Sequence, residues 1–520
     1  MIKMTEMDRR QFLLATAAAS ALTALGGIPA QAQAPKVLRI RSYSDLQVLD
    51  PAYRLAAPED DIFRSVLPAL ITYKSGGDKW EWKLDAAESI EQVDDTHIRF
   101  KLRPGWTWSG GFGELTAEDV KFSFERIADP ANKSPYQSDW AALDHVEITD
   151  AHSGVIVLKE YFAPLWSTTL PTGSGRIVSK KAVEALPDKK FTTTIPAGCG
   201  PYLLKEWQPK QRTTLVRNPD YKGSAPYFDE IHILPIEDEK AAEVAFDARE
   251  LDFTQIGLGT LAGYKGQAPA GTALVNKPSL AFIWLGMNVE NEILKNEKVR
   301  KAIQRAVDVD SVLDAAYYGE AARSTGIVAP GLIGHRDANL SKFDPEASRA
   351  LLAEAGASDL HLTVHLQNKT DYLAMAQVLQ ANLADVGITV ELVPLDSGSF
   401  WTLGDQSAGD SWKSIQLIIS RFSMNPDPAW ATEWFTPEQI GVWNWERWNS
   451  AEFGQLDKDG VKERDVAKRD TLYKHMQDLM EDSGAYLFLT HGAAAFIHRS
   501  QLRPGLWPDG KPAFHEFTEA

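Results

Sequence analysis

The chain is almost devoid of cysteine: one residue in 520, Cys199, so no internal disulfide can staple it. It is also short of positive charge. With 54 basic against 71 acidic residues, a formal charge of −17 and no run of lysine or arginine, it offers nucleic acid and anionic membranes nothing to bind, and neither is expected as a partner. Beyond its N-terminal leader no segment is long and apolar enough to span a bilayer. Enzyme signatures are missing too: there is no Gly-x-Ser-x-Gly elbow, no His-Glu-x-x-His, no phosphate loop and no Cys-x-x-Cys. Gly173-Ser174-Gly175 reads as a short flexible turn. His361 and His365, at i and i+4 on a predicted strand, read as a solvated strand face, and His491 as a lone structural histidine. No catalytic residue, metal ligand or cofactor is assigned.

What is present begins with a leader. Asp8-Arg9-Arg10-Gln11-Phe12-Leu13-Leu14 precedes a mild Ala/Leu run to Gly27, the pattern of a twin-arginine export signal, with cleavage expected after Ala32. No cysteine follows that could carry a lipid, so the exported protein is expected free in a periplasm. A chain of 520 residues exceeds one ordinary core and implies a multi-domain molecule, expected to act as a monomer. Cys199 is expected to be a buried structural thiol.

Residues 97–102 (HIRFKL) alternate apolar and polar as a half-buried strand does, and Pro104-Gly105 stops them. Thr116 then suits an N-cap, with Glu118 and Asp119 in the first turn and Val120, Phe124 and Ile127 on one face of a helix. Further on, 361–366 (HLTVHL), 371–386 and 388–393 (ITVELV) read as strand, helix and strand, a βαβ unit with parallel strands. The helix before it is bracketed by Asp344, Pro345 and Gly356, the expected capping asymmetry.

Taken together, LRPGW at 102–106 and LTAEDVKFSFERI at 115–127 resemble the signature of the extracytoplasmic solute-binding proteins that serve peptide, nickel and opine ABC importers. Leu49-Asp50-Pro51, Gly200-Pro201-Tyr202, RNPDY at 217–221, a hallmark helix VRKAIQRAVDVDSVL at 299–313, FDPEASRALLAEAG at 343–356, NPDPAW at 425–430 and RWNSAEF at 447–453 extend the resemblance from about Val37 to the C-terminus. Lys222 and Gly454 depart from it, where the family usually has Trp and Asp. The resemblance implies an α/β, two-lobed periplasmic-binding-protein (Venus-flytrap) fold with an extra subdomain in the first lobe. The first lobe is then built from 35–76, 192–277 and 490–520, the subdomain from 77–191 and the second lobe from 278–489, with crossings near Ser279–Asn288 and Tyr486–Ala494. The implied function is capture of a small solute for a membrane permease driven by ATPase subunits. An exported hydrolase and a periplasmic peptide-binding chaperone are the alternatives, and neither has a supporting residue pattern.

Seven of the 16 tryptophans, Trp401, Trp412, Trp430, Trp434, Trp443, Trp445 and Trp448, crowd into the second lobe. Some should be core, and Trp445 and Trp448 share helical spacing; others should form rigid, amphipathic cleft walls. Trp401, Trp430, Trp443, Trp445 and Asn444 are taken as ligand-facing. The segment after the strand at 417–419 is where the family places ligand contacts. Its peptide-binding members carry an Asp that holds the peptide ammonium, and Met424 stands at that position. Arg421 offers instead a planar fork suited to a carboxylate, while Asp427 reads as a turn-former before Pro428. Tyr43 and Asp45, after the first strand, are placed opposite by topology. The expected ligand is a carboxylated amino-acid derivative such as an opine, or a short oligosaccharide, in preference to a standard peptide.

Overall fold

In the computed structural model residues 35–55 and 57–520 are described; the leader and its cleavage after Ala32 lie outside them. Two large sheets organise Val37–Ala520. The first has seven strands in the order Tyr202–Gln208, Arg212–Arg217, Glu230–Pro235, Val37–Ser42, Phe253–Ile256, Ala493–Arg499 and Thr272–Pro278. Its central strand, Val37–Ser42, runs parallel to both neighbours. The second has five, in the order Ile388–Leu395, Leu360–Gln367, Leu417–Ser423, Ala281–Met287 and Tyr486–Thr490, the first three parallel. Ligand crevices of open α/β sheets lie beyond the carboxyl ends of parallel strands.

Two short connections join the sheets. Thr272–Pro278 of the first sheet passes through Ser279 and Leu280 into Ala281–Met287 of the second, and Tyr486–Thr490 returns through His491 and Gly492 into Ala493–Arg499. The connections are tied to each other. Ser279 Oγ donates to the His491 carbonyl at 2.5 Å, and His491 Nδ1 lies 2.8 Å from the Ala281 carbonyl. Gly492 has φ +68°, a conformation that costs a residue with Cβ and lets the chain turn between sheets.

A four-stranded antiparallel sheet, Ala87–Gln92, His97–Leu102, Ser153–Leu158 and Leu143–Asp150, packs beside the first sheet. Ile98, Phe100 and Leu102 are buried on one side of their strand, as the alternation predicts. The helix Ala117–Ala128 starts at Thr116 with a reciprocal capping box to Asp119 and buries Val120, Phe124 and Ile127. Its Arg126 forms a buried bidentate pair with Asp50, at 2.8 and 2.5 Å, so two segments far apart in sequence share one charge-paired anchor. Cys199 is buried in this core, and desolvation pushes its thiol up to about 12.

The βαβ unit forms as read, with strands Leu360–Gln367 and Ile388–Leu395 around helix Thr370–Asp385, which turns Tyr372, Met375, Leu379 and Leu383 inward. Four readings need correction. The segment 299–313 is two helices, Glu297–Ala306 and Val309–Tyr317, because Val307 is extended and the Asp308 carboxylate caps the second helix at Ser311 N. The strand Leu417–Ser423 runs past 419, since Ala281–Trp284 pair with Ser420–Ser423. Gly173-Ser174-Gly175 is a buried turn, fixed by Trp140 Nε1 donating to the Ser174 carbonyl at 2.9 Å. On the strand Leu360–Gln367 His361 is exposed but His365 is 6% exposed, covered where helix Ser397–Thr402 packs on that face. Burial lowers its basicity below the usual histidine range.

Candidate ligand site

The strand Leu417–Ser423 divides the expected site residues between its two faces. Leu417 and Ile419 point into the core with Ile283 and Leu285, so alternation places Arg421 on that side, at the carboxyl end where the core opens. Ile418 and Phe422 point the other way, Ile418 onto a layer with Phe400, Leu403 and Trp445. Phe422 is the centre of an aromatic wall. Trp401 stacks on it at 6.2 Å between ring centroids and 20° between planes, and Trp434 and Trp443 meet it at 5.9 and 6.0 Å. Trp434 and Trp443 close the ring on each other at 6.2 Å. All four rings are half-buried, which leaves part of each free to stack on a ligand.

Arg421 is exposed, and among the described residues no carboxylate is paired with it. Burial raises the hydroxyls of Tyr317 and Tyr372 well above the usual phenol range, and the positive charge of Arg421 offsets part of that rise. Tyr317 in turn lies 3.2 Å from Asp371 Oδ2. An exposed guanidinium without an internal partner can take up a carboxylate by a bidentate, charge-assisted contact.

Behind the wall sits a buried carboxyl. Glu446 accepts from Trp284 Nε1 at 2.8 Å through Oε1, while Oε2 is buried without a partner. Burial pushes this carboxyl up to about 7. The fit requires Gly286, since a Cβ there would lie 1.9 Å from Glu446 Oε1.

Several expected ligand residues are spent on structure. Asn444 is fully buried, its amide donating to the carbonyls of Phe435, Thr436 and Trp448. Trp445 is buried, donates to the Val442 carbonyl at 2.8 Å and packs where Gly404 has no Cβ. The segment around Trp445 and Trp448 is a loop held by Asn444, not a helix. Met424 is 4% exposed in the second lobe's core, its N–H donating to the Leu280 carbonyl. Asp45 is consumed by Trp207 Nε1 and the N–H groups of Leu46 and Lys210. Trp430 is half-buried beside Trp434, whose indole donates to its carbonyl. Tyr43 remains 52% exposed at the carboxyl end of the first sheet's central strand.

Asp427 is a turn-former, accepting from Ala429 N, and something more. It is fully buried and holds Arg469 at 2.7 and 2.9 Å, while Ser167 Oγ from the other half of the molecule donates to it at 2.5 Å. Beside this pair a recess of 340 Å³ opens between Trp80, Trp82 and Trp166 on one side and Pro426 and Arg464 on the other. A larger recess of 860 Å³ near Lys121 and Asp188 lies on the outer surface, with neither the aromatic wall nor an end of the two large sheets beside it. Sequence alone does not single out Phe422 or Glu446, and it counts Trp434 only as one of the tryptophan cluster. Alternation along Leu417–Ser423 is the signal that finds Phe422; none exists for Glu446.

Residues 81–441 match the family model of bacterial extracellular solute-binding proteins, family 5 Middle, and residues 6–26 match the twin-arginine translocation signal. A probable D,D-dipeptide-binding periplasmic protein of Escherichia coli K12 is 26% identical over 474 residues, 88% of this chain and 89% of its own. The crystal structure of an ABC transporter substrate-binding protein from Listeria monocytogenes superposes with a TM-score of 0.81 at 19% identity, covering 93% of this chain and 99% of that one. A solute-binding protein of A. tumefaciens R10 in complex with mannopinic acid superposes at 0.73, with 24% identity over 94% of this chain and 100% of its own.

Proposed function

The chain belongs to the bacterial extracellular solute-binding proteins of family 5, and from that premise we propose that it captures a carboxylated amino-acid derivative, opine-like or a short dipeptide, between its two sheets. It is a periplasmic substrate-binding component of an ABC importer, exported by the twin-arginine route. We take the lobes as 35–76 with 192–277 and 490–520, the subdomain as 77–191 and the second lobe as 278–489, working as a monomer.

Arg421 carries the reading. It is an exposed guanidinium with no internal carboxylate, at the carboxyl end of a parallel strand whose opposite face holds four half-exposed aromatic rings. A solute whose carboxylate meets Arg421 and whose body rests on the wall must straddle the end of Leu417–Ser423. That favours a molecule of dipeptide or opine length over a single amino acid. Two relatives bear names of carboxylated ligands, a D,D-dipeptide and mannopinic acid. Such a solute stabilises the closed arrangement by the contacts it makes only there, and the closed protein is what the permease reads.

The test is a panel of D-alanyl-D-alanine, L-alanyl-L-alanine, mannopinic acid, octopine and maltotriose, followed by thermal unfolding and tryptophan fluorescence. At a hundred times its Kd a true ligand adds about 2.7 kcal/mol of stability. A carboxylated member should do so and perturb the emission, and Arg421→Gln should weaken it by about tenfold or more. If folded protein responds to no member, capture of this class is wrong; if only maltotriose responds, the role of Arg421 is wrong.

A further inference from the structure

The recess of 340 Å³ between the two halves has no part in the capture described so far. One wall of it is aromatic. Trp82, at the start of the strand Trp82–Leu84, stacks on Trp166 with 5.6 Å between ring centroids and 26° between planes, and Trp166 is fixed by its Nε1 donating to Gln92 Oε1 at 2.9 Å. Trp80 packs against buried clusters of both halves, so the wall belongs to the interface between them. Across from it, Pro426 and Asp427 lie just past the strand Leu417–Ser423, and Glu463 and Arg464 lead into the helix Val466–Asp482. Four contacts join the halves here: Ser167 Oγ donates to Asp427 at 2.5 Å, the Ala163 N–H to the Val461 carbonyl at 2.8 Å, Lys462 pairs with Glu160 at 2.6 Å, and Arg464 pairs with Asp95.

The guanidiniums of the recess are matched within the protein. Arg469 holds Asp427, while Arg464 holds Asp95 and lies 5.4 Å from the Tyr161 ring centroid, filling the cation–π position there. What is unmatched is a set of neutral donors and one acceptor. Among the described residues the indole N–H groups of Trp80 and Trp82 and the Tyr161 hydroxyl have no hydrogen-bond partner, and the half-buried Glu463 has no cation: Oε1 accepts from Asp465 N at 2.8 Å and Oε2 accepts from nothing. An anion in the recess would meet the Glu463 carboxylate. A purely apolar group would strip water from the donors and the carboxylate and return nothing. A group that carries both C–H faces and hydroxyls answers every feature: its faces rest on the indoles, and its hydroxyls accept from the N–H and O–H groups and donate to Glu463. The volume stands at the lower end of the roughly 300–1,000 Å³ of small-molecule pockets, room for one arm of a solute.

We propose that this recess is a subsite for a polyhydroxylated arm, an open-chain polyol or a sugar, on the captured carboxylated solute. This rests on the interlobe capture argued above. Pro426 is five residues past Arg421, so at most about 18 Å of extended chain separates their Cα atoms, a distance of the order that one elongated amino-acid derivative spans. The carboxylate is held at Arg421 and the arm lies on Trp82 and Trp166, which makes a solute with a hydroxylated arm a better ligand than a plain dipeptide.

Calorimetric titration of the leader-free protein tests this with mannopinic acid and its glucityl epimer, in which a six-carbon polyol is joined to the nitrogen of glutamate. N-hexyl-L-glutamate keeps the nitrogen and both carboxylates without the hydroxyls, and D-alanyl-D-alanine has no arm at all. At least one hydroxylated form should bind the wild type about tenfold or more tighter than the hexyl form, and Trp82→Ala should bring that ratio below about threefold. Glu463→Ala should reduce the same ratio, and because the ratio compares two ligands on one folded protein, a merely destabilised variant leaves it unchanged. Equal or tighter binding of the hexyl form to wild type would overturn a hydroxyl subsite, and a preference that survives Trp82→Ala would place it outside this recess; both leave capture standing. Binding of D-alanyl-D-alanine alone would likewise overturn the arm and not the capture. Binding of no member by folded protein would overturn capture itself.

Discussion

Replacing Glu446 with glutamine should make this protein more stable relative to the wild type as pH rises, which is the reverse of what losing a salt-bridged carboxylate does. Glu446 is 1% exposed; Trp284 Nε1 donates to one oxygen and nothing reaches the other. Burial therefore favours the protonated form and pushes the group from an ordinary 4.5 up to about 7. The folded value is the raised one, so the contribution to stability is fully present below the unfolded value and is lost as pH rises through the folded one. Below about pH 4.5 the carboxyl is protonated in both states and costs nothing. Above about pH 7 the folded protein must bury a charge. Each tenfold displacement of the proton equilibrium is worth roughly 1.4 kcal/mol, so the cost comes to about 3 kcal/mol.

Glutamine does not titrate here, and whatever its second N–H loses by burial is the same at every pH. The stability difference between Glu446→Gln and wild type should therefore climb by about 3 kcal/mol between pH 4.5 and 8. With an unfolding entropy of about 2 cal/mol/K per residue, this becomes about 7 °C in Tm if a lobe of roughly 200 residues melts alone, and about 3 °C if the whole chain melts as one. Thermal melts of both proteins at half-unit pH intervals and constant ionic strength give the difference curve. A difference that stays flat, or that falls with pH, would refute a neutral buried Glu446.

The buried pair of Asp427 and Arg469 makes a sharper prediction about single and double changes. Arg469→Met leaves Asp427 buried and unpaired and should cost about 3–5 kcal/mol in urea unfolding, most of which Asp427→Asn should restore in the double variant. Equal losses in the single and double variants would show that the pair is not what holds that loop. Cys199, with its thiol pushed up to about 12 in a buried core, should give no reaction with Ellman's reagent in folded protein at pH 8 and one equivalent after denaturation. Prompt reaction of the native protein would contradict its burial.

What sequence reveals here follows the range of the interactions involved. The strand at 97–102 and the helix after Thr116 are legible because their pattern and caps are local: Ile98, Phe100 and Leu102 alternate, and Thr116 and Asp119 bond each other three residues apart. The break at Asp308 was legible in principle, since an Asp that bonds its own backbone can start a helix as readily as sit within one. The site was only partly legible. Clustered tryptophans announced a wall, but spacing could not say that Trp445 would turn into the core while Trp401 and Trp443 stayed half-exposed. That sorting is decided by Gly404 and by the pairing of Leu417–Ser423 with Ala281–Met287, contacts far apart in the chain. Asn444 and Asp45 looked like ligand groups because free polar side chains and structural ones have the same letters; only their bonding partners tell them apart.

The connection between the sheets and the region of the aromatic wall differ in how they respond to protons, and the difference follows from what each carboxyl or imidazole touches. At the connection between sheets, the His491 carbonyl accepts from Ser279 Oγ and its Nδ1 meets the Ala281 carbonyl, while Nε2 is buried without a partner, and burial pushes its basicity down to about 4. The ring is neutral throughout the physiological range, so Nδ1 carries the proton it donates and the tie between the two connections keeps one charge state. Glu433 beside the wall and Glu446 behind it both stand near 7, each raised first by burial, and Glu433 further by the negative charges of Asp457 and Asp139. The tie between the sheets therefore keeps its bonds over a pH range in which these two carboxyls change charge.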